Sequence, residues 1–153
     1  PWVAMCATLF HSMVSVVVLL IAQLLLRGSI PLTALWLPVV ILPLVVGTMG
    51  VSWLLAALGV YLRDIGQVTG IVTTVMLFMA PVLYPVQALP ETLQPYIYLN
   101  PLTFIIEQAR EVLLWGHIPD FIGLGKYAVG AALVAWFGFA TFQKMRRGFA
   151  DVL

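Results

Sequence analysis

The fold class is decided by residues 28–62, GSIPLTALWLPVVILPLVVGTMGVSWLLAALGVYL, a stretch without a single charged side chain. A membrane-spanning helix needs about 20 consecutive apolar residues, because each residue rises about 1.5 Å and the hydrocarbon core is about 30 Å thick. Three more long apolar runs in the chain are free of charge in the same way. The sequence therefore predicts a bundle of membrane-spanning helices.

The composition of the whole chain excludes a soluble domain. Hydrophobic residues make up 63% of the 153 residues and charged residues 8%, so too few polar groups are present to cover a water-exposed surface. The basic cluster Lys144, Arg146 and Arg147 is too small to track phosphates, so no nucleic-acid partner is expected and the lipid bilayer is. The single cysteine, Cys6, excludes an internal disulfide and a multi-cysteine metal site.

Turn residues divide the chain into four predicted spans, 2–26, 36–61, 65–83 and 123–143. Gly28 should end the first span, and Pro43 should kink the second. We expect one transmembrane domain over residues 1–153, with a tail over 144–153. Because the chain opens at Pro1 and not at a methionine, we interpret it as the C-terminal portion of a longer subunit.

The distribution of cations predicts the orientation. Arg63 and the cluster Lys144, Arg146 and Arg147 fall on one side of the predicted spans, and Arg27, Arg110 and Lys126 fall on the other. Cations close to span ends favour the cytoplasmic side. We therefore place both chain ends in the cytoplasm and the long loop over 85–122 outside.

Two short helical patterns lie in this outer loop. The first begins near Pro90, and the second begins at Asn100-Pro101, a pair typical of a helix N-cap and first turn, and closes at Gly116. The second pattern, 101–115, would be about 22 Å long, which is too short to cross a bilayer. Either a re-entrant hairpin or an amphipathic helix on the headgroups explains both patterns.

Residues that could perform chemistry are few. His11 is an ionisable side chain within the first predicted span, near its end, and is best explained as an interfacial or helix-packing residue. Glu107, Arg110 and Glu111 are best explained as an ion-pair cluster on one helix face. Gly125-Lys126 does not complete a phosphate-binding loop, because Asp120 and Tyr127 occupy positions that need glycine and Ser or Thr. We predict no catalytic, cofactor or metal site in this chain, so any ATP hydrolysis would occur in another polypeptide.

Small and polar residues suggest helix packing and a possible path for cargo. Small residues recur at packing intervals at Gly66, Gly70 and Thr73, and again at Ala131, Ala135 and Gly138. The scarcity of buried charge argues against an ion channel or an ion-coupled carrier and favours a large neutral or lipid-linked cargo. The hydroxyl and aromatic side chains that could line its path are Thr73, Thr74, Phe78 and Tyr84. Plain bundle packing explains the same residues.

Four motifs in order resemble one family. They are Leu62-Arg63-Asp64-Ile65, the proline-ended span Met79-Ala80-Pro81-Val82-Leu83-Tyr84-Pro85, the segment Leu99-Asn100-Pro101-Leu102, and the tail Arg146-Arg147-Gly148-Phe149-Ala150-Asp151-Val152-Leu153. Together they resemble the permease subunits of type-2 ABC exporters for O-antigen, capsular polysaccharide and teichoic acid. The resemblance covers essentially the whole chain.

The resemblance implies an all-α integral membrane fold, with about four transmembrane helices plus short re-entrant or interfacial gate helices on the outer side. It implies a homodimer of permeases in the bacterial inner membrane, a lipid-linked glycan as cargo, and separate nucleotide-binding subunits that hold ATP and Mg. The four spans would match the third to sixth of six. The outer gate would include Tyr96, Tyr98, Asn100, Pro101, Phe104 and Glu107. The turn Arg63-Asp64 would contact the ATPase or neighbouring helices.

Two other functions remain open from the sequence. An exporter of the same fold could carry a drug or a lipid, because fold does not determine cargo. A membrane-embedded transferase is a further alternative, and it would need an essential acid or histidine such as His11, Glu107 or Glu111.

Overall fold

A computed structural model describes residues 1–62, 64–82 and 84–146. Its six α-helices are α1 (Trp2–Arg27), α2 (Leu37–Tyr61), α3 (Ile65–Met79), α4 (Gln94–Tyr98), α5 (Pro101–Arg110) and α6 (Phe121–Met145). Two 3₁₀ turns occupy Leu32–Trp36 and Val86–Ala88, and a π-helical turn, Glu111–Trp115, extends α5. Arg63 of the predicted cytoplasmic turn and the tail from Arg147 onward lie outside the described residues.

Three helices are long and apolar enough to cross a bilayer: α1, α6 and the continuous helical segment Leu32–Tyr61 that contains α2. They correspond to the predicted first, second and fourth spans. Each regular element in the described part of the chain is helical, which confirms the prediction of an all-α membrane bundle. Gly28 ends α1 in the left-handed conformation, at a φ of 72°, as its position in the sequence predicted.

The predicted third span is shorter in the structure. A helix was expected over 65–83, but α3 ends at Met79 after 15 residues, or about 22 Å. The backbone of Ala80 is extended, with a ψ of 127°, because the ring of Pro81 disfavours the helical conformation in the residue before it. Only three helices of spanning length are therefore present in the described residues, beside this shorter apolar one.

Helices α2 and α6 pack against each other through small residues. A Cβ placed on Gly50 would lie 2.5 Å from the Cα of Ala135, and one placed on Gly138 would overlap the carbonyl oxygen of Gly50. One turn away, Gly47 faces Ala131. Ala131, Ala135 and Gly138 thus mark a close helix contact, as predicted.

The prediction that small residues such as Gly66 and Gly70 mark a close helix contact of α3 is wrong within this chain. A Cβ added to Gly66 or Gly70 would meet nothing within 4 Å, and no residue of α3 is buried. Helix α3 is therefore only loosely attached to the remainder of the bundle along its length. Its firm attachments come at its C-terminal end.

Helix α5 packs inside one end of the bundle. Ile105, Val112 and Leu113 form one buried core with Leu37 and Val40 of α2, and Leu124 of α6 completes this core. The apolar face of the helix is thus covered by protein. This packing favours a helix inserted between its neighbours over one that lies on the headgroups, the two alternatives that the sequence left open.

Candidate functional site

The end of α3 leaves backbone carbonyl groups without partners in their own helix. The last carbonyls of any helix lack intrahelical donors, and Pro81 has no N–H group to offer. In a regular α-helix the Ala80 N–H would bond to the Met76 carbonyl. Here it bonds to the Leu77 carbonyl instead, so the Met76 carbonyl lacks this donor. Carbonyl groups of this kind are costly unless another part of the protein supplies a donor.

Asn100 supplies one of these donors. Its Nδ2 donates to the carbonyl of Met76 over 2.8 Å, while its Oδ1 accepts from the N–H of Leu102 over 3.0 Å. The side chain is buried, at 5% exposure. Asn100 therefore caps the start of α5, as the sequence predicted, and also the end of α3, which the sequence did not show.

Arg110 supplies further donors ten residues along the same helix. Its Nη2 donates to the carbonyl of Pro81 over 2.8 Å and to that of Val82 over 3.2 Å. We predicted that Arg110 would pair with Glu107 and Glu111 on the helix surface. In the described residues it forms neither pair, because its guanidinium binds the carbonyl groups after the α3 break.

The other end of α5 is attached to the α1–α2 connection. Thr33 donates from Oγ1 to the carbonyl of Val112 over 2.8 Å, and Arg27 donates from Nη1 to that of Leu114 over 2.9 Å. The chain then turns at Gly116, whose φ of 73° suits glycine. The segment from Asn100 to Gly116 thus links α3 to the α1–α2 connection.

A cleft of about 630 Å³ opens between the chain after α3 and the segment 107–117, which includes the last turn of α5. One wall consists of Val82, Tyr84, Pro85 and Gln87. The facing wall consists of Glu107, Gln108, Arg110, Glu111, Leu114, Trp115 and His117. The cleft combines carboxylate, amide, guanidinium and aromatic groups and lies within the size range of small-molecule sites.

Charged groups in and beside the cleft interact locally. His117 Nδ1 and Glu111 Oε2 form an ion pair or hydrogen bond at 2.5 Å. Partial burial raises the pKa of the Tyr98 hydroxyl, and a hydrogen bond to the Glu107 carboxylate together with its negative charge raises this pKa further. No group of three His, Cys, Asp or Glu side chains in the described part of the chain could hold a metal ion.

The structure brings together only some of the predicted gate residues. Glu107 lines the cleft, and Tyr84, predicted for the cargo path, lies on its opposite wall. Asn100 and Pro101 form the junction of α5 with α3. The remaining gate residues do not line the cleft. Phe104 stacks on Tyr127 of α6 with ring centres 6.0 Å apart, Tyr96 is exposed on α4, and Tyr98 on the same helix bonds to Glu107 of the lining.

The other predicted path residues do not reach this cleft. Thr73, Thr74 and Phe78 are exposed along α3, and Phe78 is 79% exposed. Thr74 donates from Oγ1 to the Gly70 carbonyl of its own helix. Asp64 is exposed before α3 and forms no side-chain cap. Their roles in a path or a cytoplasmic contact remain predictions.

Sequence reasoning missed the partners of Arg27, Thr33 and Arg110. Arg27 was interpreted as a cation at a span end, whereas its guanidinium binds the Leu114 carbonyl and lies 6.0 Å from the ring centre of Trp115. The available signal was indirect: the carbonyl groups that these donors bind lie at Pro81 or shortly before Gly116, where helices end. Helix ends leave carbonyl groups that need donors.

Comparison with known proteins identifies the family. The model of the ABC-2 type transporter family matches residues 2–114, well over half of the chain. The chain belongs to the ABC-2 type transporter family. The match includes α1 to α5 and therefore both sides of the junction between α3 and α5.

Individual relatives of this ABC-2 family chain are named as O-antigen export permeases or as polysialic acid transport proteins. The O-antigen export system permease protein RfbA of Klebsiella pneumoniae is 30% identical over 137 residues, which cover 88% of this chain and 52% of the relative. The protein of the same name from Myxococcus xanthus is 26% identical, over 74% of this chain and 45% of the relative. The polysialic acid transport protein KpsM of Escherichia coli is 22% identical, over 65% of this chain and 39% of the relative. The chain thus spans about half or less of the length of these relatives.

Proposed function

We propose that this chain is part of the transmembrane permease of an ATP-driven exporter that moves a lipid-linked polysaccharide out of the bacterial cytoplasm. The permease lies in the inner membrane with its C-terminus in the cytoplasm and pairs with a second copy of itself. A separate nucleotide-binding subunit binds ATP and Mg and hydrolyses the nucleotide. The permease itself is not an enzyme.

The observation that carries this proposal is the similarity to an O-antigen export permease over 88% of the chain, within the matched ABC-2 family. The cargo class O-antigen, capsule or teichoic acid follows from the names of such relatives and from the sequence motifs. The distribution of charge supports it. The buried polar residues of the described part are Gln23, Asn100 and Thr103, all uncharged, whereas ion pathways usually require charged or coordinating groups inside the membrane.

The outer structure also supports a transport role. Non-helical backbone at the level of a membrane helix is tolerated where protein or a water-filled cavity satisfies it. Here the break after α3 is satisfied by Asn100 and Arg110 and borders the polar cleft. Such an arrangement suits an element at the mouth of a pathway.

The decisive experiment is co-purification. The full-length protein is expressed in its native host, purified in mild detergent, and tested for a bound ATPase subunit whose turnover depends on the pair. A stable complex is expected. A solitary membrane protein without an ATPase partner would overturn the exporter proposal.

Two further measurements separate the alternatives. Loss of surface glycan on deletion of the gene, with unchanged drug resistance and lipid composition, supports glycan over a drug or lipid cargo. Alanine replacement of His11, Glu107 and Glu111, singly, tests a membrane transferase. Activity of such an enzyme should collapse when its essential group is removed, whereas an exporter should retain ATPase turnover.

A further inference from the structure

The outer cleft has features of a binding site that the helix junction does not require. Asn100 holds the junction from outside the cleft, and Arg110 uses its Nη2 for the chain after α3. Glu107, Gln108, Trp115 and Tyr84 remain on the cleft walls. At about 630 Å³, the cleft can hold a ligand larger than an ion or a water cluster.

The lining suits a hydroxylated ring. A sugar presents apolar C–H faces, which pack on aromatic rings, and a rim of hydroxyl groups, which bond to carboxylates and amides. Trp115 is 58% exposed, and the guanidinium of Arg27 lies 6.0 Å from its ring centre. Gln108 accepts from the Asp120 N–H through Oε1, which orients its amide and leaves the Nε2 group as a donor for a ligand.

The charges select against acidic ligands. Two carboxylates, Glu107 and Glu111, line the cleft. Glu111 pairs with His117, Glu107 accepts a hydrogen bond from Tyr98, and the Arg110 guanidinium binds the carbonyl groups after α3 and pairs with neither carboxylate. A second carboxylate or a phosphate brought into the cleft would face repulsion at short range. Neutral hydroxyl groups, by contrast, would donate to the lone pairs of the two carboxylates that His117 and Tyr98 leave unused.

From this combination we propose that the outer cleft binds a neutral pyranose unit of the exported glycan and disfavours acidic sugars. Trp115 and Tyr84 contact the ring faces, and Glu107 and Gln108 bond to the hydroxyl rim. That the ligand belongs to the exported glycan rests on the proposed function. That the site binds a neutral pyranose rests on the cleft alone.

Saturation-transfer NMR on the full-length permease in complex with its ATPase tests this inference. The probes are neutral gluco-, manno- and galacto-tetrasaccharides and an acidic tetramer of sialic acid. At least one neutral tetrasaccharide is expected to bind in the millimolar range, and the acidic tetramer should bind about tenfold more weakly or not at all. Trp115→Ala should weaken the neutral probe about fivefold or more, as expected for loss of an aromatic contact.

Two variants serve as controls. Trp136→Ala removes an indole that is 71% exposed on α6 and does not line the cleft, so it should leave binding unchanged. The double variant Glu107→Gln and Glu111→Gln keeps the shape of the cleft and should reduce the discrimination against the acidic tetramer. Equal effects of the two tryptophan variants, or equal binding of neutral and acidic probes, would overturn the inference.

Failure of this inference can be distinguished from failure of the proposed function. A preparation that retains its ATPase and binds no neutral tetrasaccharide overturns the subsite and leaves the exporter standing. A protein without an ATPase partner that still binds neutral sugars through Trp115 keeps the subsite and overturns the exporter.

Discussion

The side-chain amide of Asn100 donates a hydrogen bond over 2.8 Å to the backbone carbonyl of Met76, 24 residues earlier in the chain. The two residues belong to different helices, and the bond closes the end of α3 with the same side chain that caps the start of α5. Together with the bonds from Arg110 to Pro81 and Val82, it makes α5 the partner of the broken end of α3.

Replacement of Asn100 by alanine should destabilise the protein. It removes the cap of α5 and leaves the Met76 carbonyl without its donor, so the free energy of unfolding should fall by about 1–3 kcal/mol. Asn100→Asp keeps the capping acceptor but places a buried carboxylate oxygen against the Met76 carbonyl, so it should destabilise the protein at least as much as Asn100→Ala. The melting temperature in detergent measures both. Ser15→Ala, which removes an exposed bond within α1, is the control and should change little.

Replacement of Gly138 by alanine should weaken the packing of α2 against α6. The new methyl group would overlap the Gly50 carbonyl, which can relieve the clash only by moving backbone, and we expect a loss of about 1–3 kcal/mol in the free energy of unfolding. Gly130→Ala on the same helix meets open space and should be neutral or stabilising by up to about 1 kcal/mol. A melting temperature that responds equally to both replacements would contradict the observed packing.

Replacement of Thr33 by valine should loosen the C-terminal end of α5. Valine keeps the shape of threonine but removes the donor to the Val112 carbonyl, and the residue that carries this carbonyl is fully buried. An unpaired buried carbonyl costs about 1–3 kcal/mol. Faster amide hydrogen exchange over 111–116 would locate the effect. Thr48→Val, which removes a bond one turn back within α2, should leave this segment protected.

Single cysteines should reveal the orientation in a Cys6→Ser background. Cysteines at Glu91 and Ile118, both exposed in the outer loop, should react with a membrane-impermeant thiol reagent applied to intact cells. One at Gln143, near the end of α6, should react only after the membrane is opened. The reverse labelling pattern would refute the placement of the C-terminus in the cytoplasm.

The sequence alone was sufficient for the fold class, for the bounds of α1, α2 and α6 to within a few residues, and for the cap at Asn100. These features depend on local properties, namely uninterrupted apolar length and the backbone preferences of Gly, Pro and Asn. The contact residues Ala131 and Gly138 were also predictable, since small side chains at regular intervals are typical of close helix pairs. The same rule failed at Gly66 and Gly70, because spacing within one helix does not show which face has a partner.

Tertiary structure alone decided how the polar groups of the outer loop are used. From the sequence, Arg110 belonged with Glu107 and Glu111, since residues three and four apart share a helix face. In the fold, the carbonyl groups of Pro81 and Val82, in the non-helical chain after α3, lie within hydrogen-bond distance of its guanidinium, and Arg110 binds them. Glu111 pairs with His117 instead, and both glutamates line a cleft with Trp115. A side chain satisfies the unpaired polar group that folding brings next to it, and residues distant in sequence determine which group that is.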